Sequence, residues 1–386
     1  GRTGQQRRTR ISLSMEHILL DLPNLLVCLV LVMVGFLRGW VTRNVAIILS
    51  LSSAVPYLLN NVLFDAEYMP DQFRYWEQVL AMRSMDWGAM DHSLTVSVSS
   101  GFLALLPLPL AETITSLGFF NKFLYIGALM VLIRRGIISH AVLLFVLCYP
   151  SLVLYSSLSL RDTLVTGFML GSFLLAIERR PIWALIFLLP LWIIKFQNAL
   201  IMLIFLGIYL LYDVSRQGLS TKRFCWLLVG LAASVLVIYP LAVDQINFFR
   251  AAMYLEDGGK IEDVEVIQGF GDFVVTGIQG ALYFLIKPLP WEAANALQLI
   301  QSGENLLVVA FLVWLTLKCW QVQREKTLFW LLYLIGAFTI YGLVVFNYGT
   351  AVRYRFPFLV IYVVCMAHDT GLVRLWQQQR RPALLD

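Results

Sequence analysis

The residues best suited to chemistry are bases in places where a helix would favour acids. Arg161 stands in SLSLRDTLV and Lys195 in IIKFQNAL, while Arg353 and Arg355 stand in NYGTAVRYRFPF. Each lies at or just before the start of a helix-length apolar run. A helix N-terminus carries positive partial charge, so a cation there is electrostatically misplaced unless an anion joins it. Free backbone N–H groups, guanidinium forks and ammonium groups converging on one place would trap phosphate. The ligand favoured is a diphosphate at a membrane surface, the head of a lipid-linked sugar. Lys287, in LIKPLPWE, is positioned to join the set. The bland alternative for each base is snorkelling or a local pair, such as Arg161 with Asp162.

Transfer of a sugar to a hydroxyl also needs a group to take the proton and stabilisation of the leaving charge. The stretch FDAEYMPDQFRYWEQ supplies Asp65, Glu67, Asp71 and Glu77, followed by Asp86, Asp91 and His92. Asp71 is the first choice for the base, because it opens an amphipathic segment beside Arg74 and Tyr75, and His92 is the second. Tyr68, Tyr75, Trp76 and Trp87 here, and Trp291 further on, offer flat apolar faces for sugar rings. Their bland alternatives are an acidic solvated loop and an interfacial aromatic belt. No CxxC, HExxH or glycine-rich phosphate loop occurs, so neither metal nor cofactor is expected. The five cysteines (28, 148, 225, 319 and 365) lie within apolar runs or near their ends, which implies no disulfide framework.

The elements that must position these residues are membrane helices. Of 386 residues, 59% are hydrophobic and only 14% charged, whereas a soluble domain is about half apolar and a quarter charged. That excludes a soluble enzyme, a disordered chain and a disulfide-stapled module. Apolar runs of spanning length fall near 17–37, 44–63, 115–133, 137–156, 160–177, 181–194, 198–212, 224–243, 304–320, 327–346 and 355–372. The sixth and seventh are short and nearly continuous. Two broken stretches, 94–110 and 273–290, read as re-entrant or interfacial helices. The fold expected is all-α and polytopic, with about 11 spans in a single domain over 15–372. Residues 1–14 are set aside as a leader or appended segment, and 373–386 form a tail.

Sorting the charge by side gives 15 Lys/Arg against five acids on one side, and 10 against 19 on the other. By the positive-inside rule the first side is cytoplasmic, with the N-terminus outside and the C-terminus inside. The outer side carries both large segments, 64–114 and 244–303. The acidic run from Glu256 to Glu265 reads as a lid over the cavity, Lys287 to Trp291 as the stop of one interfacial helix and the start of another, and Glu304 as a cap.

The chain resembles the bacterial Wzy-type polysaccharide polymerases and the related EpsG-like proteins of exopolysaccharide synthesis. The resemblance rests on Asp71-Gln-Phe-Arg-Tyr75; on Pro150-Ser-Leu-Val-Leu-Tyr155-Ser156 leading to Arg161-Asp162; on Lys195-Phe-Gln197-Asn198; on the Pro-Leu-Pro-Trp segment at 288–291; and on Arg353 with Arg355. It implies a fold similar to the GT-C membrane glycosyltransferases. It also implies a metal-independent enzyme of the bacterial inner membrane, which joins undecaprenyl-diphosphate-linked oligosaccharide repeats at the periplasmic face. Arg161, Arg353 and Arg355 would hold the diphosphate. The implied partners are that lipid-linked oligosaccharide, membrane lipids, and a chain-length regulator and flippase of the same pathway, with no nucleic acid. The alternatives left open are another transferase of lipid-linked sugars, an O-antigen ligase, or a transporter of lipid-linked glycan. The absence of a clear internal repeat weighs against the transporter.

Overall fold

The computed structural model describes residues 15–378, except 61, 87, 89, 92, 257–263, 294 and 346–347. Among the described residues the chain is all-α, and the one β-feature is an isolated bridge between Asn60 and Phe64. In order, the helices are α1 (Met15–Leu37), α2 (Arg43–Ser53), α3 (Pro56–Leu59), α4 (Asp71–Ser84), α5 (Leu94–Ala104), α6 (Ile114–Arg134), α7 (His140–Cys148), α8 (Pro150–Tyr155) and α9 (Asp162–Ile177). They continue with α10 (Pro181–Ile194), α11 (Phe196–Leu211), α12 (Val214–Gln217), α13 (Thr221–Glu256), α14 (Phe270–Ile286), α15 (Ala296–Val322), α16 (Arg324–Gly342), α17 (Tyr348–Asp369) and α18 (Leu372–Gln378). Five of these, α1, α6, α13, α15 and α17, contain stretches long and apolar enough to cross a membrane. Shorter apolar helices include α5, α9, α10, α11 and α14.

Each expected span coincides with a helix, but two are broken. The run 44–63 divides into α2 and α3, and Pro56 takes the first position of α3. The run 137–156 divides into α7 and α8 at Tyr149, with Pro150 opening α8. Proline lacks the N–H that a continuous helix would need there, yet suits a first turn. The expected span 224–243 lies within a 36-residue helix, about 54 Å long at 1.5 Å per residue. That exceeds a hydrocarbon core of about 30 Å. Glu304 lies inside α15 rather than at its start. Asn295 is the cap, its Oδ1 accepting from the Gln298 N–H at 2.9 Å.

The chain divides into two compact units. The first runs to Phe168 and takes in Leu189–Ala199; the second holds Met169–Leu188 and Leu200 onward. In the first unit, α1 packs along α6 and α4 along α5. The buried Asp21 of α1 accepts from Thr113 Oγ1 at 2.5 Å, Ser116 Oγ at 2.6 Å and Asn24 Nδ2 at 3.2 Å. Thr113 and Ser116 form the capping box of α6, so a carboxylate is held where the α6 dipole favours it. Arg83 gathers the carbonyls that end α5, reaching Ala104, Leu106 and Leu108 at 2.5–3.2 Å.

The core of the second unit is an aromatic cluster around Phe173, with Tyr209, Phe329, Trp330 and Tyr333 in edge contacts. Beside it, Lys326 Nζ meets Asp369 Oδ1 at 2.8 Å, and Trp330 Nε1 donates to the other carboxylate oxygen. α14 and α16 pack closely at Gly280 and Gly342, where a Cβ on either would overlap the other's backbone.

Candidate functional site

In the first unit, three sequence segments singled out for chemistry meet. Asp71 opens α4 and is exposed, while Gln72 beside it and Tyr75 one turn on are buried. Gln72 exchanges amide hydrogen bonds with Asn60, each at 3.0 Å, and its Oε1 also accepts from the Ser159 N–H at 3.2 Å. The first turn of α4 is thereby tied to the segment that delivers Arg161. That segment is fixed from the other side by α6. Asn121 Nδ2 donates to the carbonyls of Leu158 (2.6 Å) and Leu160 (2.7 Å), and Ser159 Oγ donates to Ile114 O. Gly118 lets the backbone of Ser157 approach, since a Cβ there would overlap its carbonyl.

Arg161 then precedes α9. Its guanidinium lies 5.9 Å from the centre of the Tyr75 ring. Its Nη1 donates to Ile194 O at 2.7 Å, and its Nε is buried with no hydrogen-bond partner. Ile194 is the last residue of α10, and Lys195 fills the single-residue break before α11. Lys195 is only 6% exposed. Arg161 and Lys195 thus precede the N-termini of α9 and α11, one residue apart through the Ile194 carbonyl. Trp76 is turned to structure, its Nε1 donating to Ala111 O at 2.8 Å. Arg74 pairs with Asp91 at 2.8 Å, and this hydrogen-bonded pair raises the guanidinium pKa further above its ordinary value. His92 and Trp87 lie outside the described residues.

Lys287, Trp291, Arg353 and Arg355 belong to the second unit. Arg355 is 2% exposed. Its Nη1 donates to the carbonyls of Phe284 (3.2 Å), Leu285 (2.9 Å) and Lys287 (3.4 Å), and its Nη2 to Asn305 Oδ1. Asn305 Nδ2 takes Ile286 O and Lys287 O. These two side chains therefore satisfy the carbonyls that end α14, which a helix cannot satisfy within itself. Arg353, two residues earlier in α17, is half-buried. Trp291 is 79% exposed in a short turn, Pro290–Glu292.

Lys287 borders a cavity of about 340 Å3 in this unit, together with Arg250, Tyr254, Glu265, Gln279 and Tyr283. Its Nζ lies 3.1 Å from Glu292 Oε1 and 4.0 Å from the centre of the Tyr283 ring. The Leu289 N–H and Lys287 together hold the Glu292 carboxyl below its ordinary pKa. The acidic segment expected as a lid falls mostly on 257–263, outside the described residues. No motif marks Arg250 and Tyr254, which come from α13, or Gln279 and Tyr283, which come from α14. Lys122 is likewise a buried base that no motif marked. It is 0% exposed, with Nζ near Ser52 Oγ (3.2 Å), Ser156 Oγ (3.2 Å) and Val153 O (3.4 Å).

Among the described residues, no three His, Cys, Asp or Glu side chains are grouped so as to hold a metal ion. No protein-family model, no curated protein and no solved structure matches the chain.

Proposed function

We propose that the chain is a multi-pass membrane glycosyltransferase. It extends a polysaccharide by moving a glycan from a lipid diphosphate to the hydroxyl of an incoming lipid-linked repeat, on the non-cytoplasmic face. One observation carries the reading: the Gln72–Ser159 and Arg161–Ile194 hydrogen bonds gather the first turn of α4, Arg161 and the Lys195 break into one place. That place holds two cations before two helix N-termini, an arrangement that favours a phosphate group. A carboxylate, Asp71, stands one helical turn from the tyrosine under Arg161.

In this mechanism the acceptor hydroxyl attacks the anomeric carbon, and the bond from that carbon to the diphosphate oxygen breaks. Asp71 takes the hydroxyl proton, and the leaving diphosphate departs with the bonding electrons. Arg161 and Lys195 stabilise its charge as it develops, which lowers the barrier because the donors are already in place. Tyr75 supports the guanidinium from below. Arg353 and Arg355 belong to the second unit, where Arg355 serves the end of α14.

The test is complementation. A strain lacking the chain receives the wild type, Arg161→Ala, Lys195→Ala, Arg353→Ala or Asp71→Asn, and its surface glycan is resolved by length on a gel. A polymerase whose clamp is lost leaves single repeats on the acceptor at normal protein levels. A ligase defect leaves none, and a transporter defect leaves repeats trapped inside. Long glycan of normal distribution from Arg161→Ala and Asp71→Asn sinks the proposed site.

A further inference from the structure

The cavity of the second unit differs in chemistry from the cation pair of the first. Two helices present their C-terminal turns to it: α14 through Tyr283, Phe284 and the following Lys287, and α16 through Gly342 and the following Val345. C-terminal turns carry negative partial charge and disfavour an anion. α17 adds Ala351 from its first turn, a single opposing contribution. The cations that border the cavity are also compensated. Lys287 is ion-paired with Glu292 at 3.1 Å. Arg250 donates to Leu343 O at 2.8 Å and Glu265 O at 3.3 Å, and the Glu265 carboxylate lies within its electrostatic reach.

What remains is a mixed lining. Tyr254 and Tyr283 supply phenol rings, Gln279 an amide, Thr276 a hydroxyl, and Lys287 and Glu265 opposite charges. Lys287 covers one face of the Tyr283 ring, yet Tyr283 is still 48% exposed. A volume of about 340 Å3 lies in the range of small-molecule sites, about 300–1,000 Å3. Rings for C–H faces beside closely spaced donors and acceptors match a ligand that is both apolar-faced and polyhydroxylated.

We propose that this cavity is a saccharide-binding site, which holds a short stretch of the glycan with a pyranose ring against Tyr283 and its hydroxyls on Gln279, Lys287 and Glu265. The assignment rests on the reading of the chain as a glycosyltransferase. The cavity's lining chemistry sets it apart from the anion site proposed at Arg161 and Lys195.

The test uses the purified full chain in detergent and two probes, observed by saturation-transfer NMR. One is the repeat oligosaccharide freed from its lipid by mild acid; the other is inorganic pyrophosphate. The expected result is oligosaccharide binding that weakens tenfold or more in Tyr283→Ala and in Gln279→Ala, is retained in Tyr283→Trp and Arg161→Ala, and is not displaced by pyrophosphate. Both altered side chains are exposed, so unchanged melting and monodisperse elution are expected as well. Oligosaccharide binding indifferent to Tyr283 and Gln279, or displaced by pyrophosphate, overturns the assignment. So does absence of binding in a chain that still elongates glycan in cells, and that result leaves the transferase reading standing. Normal long glycan in cells lacking the chain overturns the transferase reading instead, and the cavity is then decided by oligosaccharide binding alone.

Discussion

Arg161 and Arg355 look alike in sequence, each a base at the start of an apolar run, and their surroundings separate them. Arg355 gives its donors to the carbonyls ending α14 and to Asn305. Arg355→Ala therefore strands buried carbonyls, each costing about 1–3 kcal/mol. A clear drop in melting temperature and yield is expected, with Arg355→Lys rescuing little because an ammonium cannot span those acceptors. Arg161 gives one such bond, Nη1 to Ile194 O, and keeps a buried Nε with no partner, so Arg161→Ala is expected to lower melting less than Arg355→Ala while turnover falls about 10²–10³-fold, the usual loss for one donor to a developing oxyanion. A matching loss of stability and activity in Arg161→Ala would make it another structural base. The Lys287–Glu292 pair adds a pH signature. The Glu292 pKa is lowered in the folded chain, so its contribution is complete above the unfolded value of about 4.3 and is lost as pH falls through the lower folded value. The melting temperatures of wild type and Glu292→Gln should thus differ at neutral pH and converge in acid; a gap that persists in acid contradicts this.

At the scale of elements, the closest approach in the second unit is α14 against α16 at Gly280 and Gly342. Gly280→Ala is expected to force these helices apart and lower the melting temperature by several degrees. Gly303→Ala, with nothing near its Cβ, should be neutral or mildly stabilising, since alanine suits a helix interior better than glycine by about 1 kcal/mol. Equal melting of the two variants would refute the packing role of Gly280. Much of this architecture was legible beforehand, because a run of apolar residues dictates its own helix. The positions of the breaks were harder. Pro56 and Pro150 stand inside apolar runs, and hydropathy alone does not say whether a proline kinks a helix or opens a new one. The end of α13 is hidden from hydropathy for a related reason. The apolar run stops near 243, but DQINFFRAAMYLE contains good helix formers, so the helix continues to Glu256. That extension delivers Arg250 and Tyr254 to the cavity. Asp21 carries no local signature either, because its partners Thr113 and Ser116 lie some ninety residues away.

At the scale of the whole molecule, the distribution of charge is the broadest feature. Bases gather in the short connections and acids in the long segments 64–114 and 244–303; the positive-inside rule then predicts that reporter fusions after residues 136, 220 and 322 all report the cytoplasm. Fusions within 244–269 should report the opposite side, and a cytoplasmic signal there would reverse the orientation. Sequence spacing could nominate Arg161 and Lys195, because each breaks a local rule of charge, and Asp71 and Tyr75, because they share an amphipathic segment in the long stretch 64–114. It could not show that Gln72 and Asn121 bring them together, since amides in apolar helices carry no signature of their partners. Nor could it find the second unit's cavity, whose polar lining from α13, α14 and the residues beside them closes only against Gly342, Val345 and Ala351, some sixty residues or more further on. The most direct test of the central claim is turnover by the purified chain supplied only with its undecaprenyl-diphosphate-linked repeat. The account predicts lipid-linked products longer than one repeat, with release of undecaprenyl diphosphate, reduced about 10²–10³-fold in Arg161→Ala. Failure of active, folded wild-type chain to lengthen that substrate, or equal lengthening by Arg161→Ala, would contradict it.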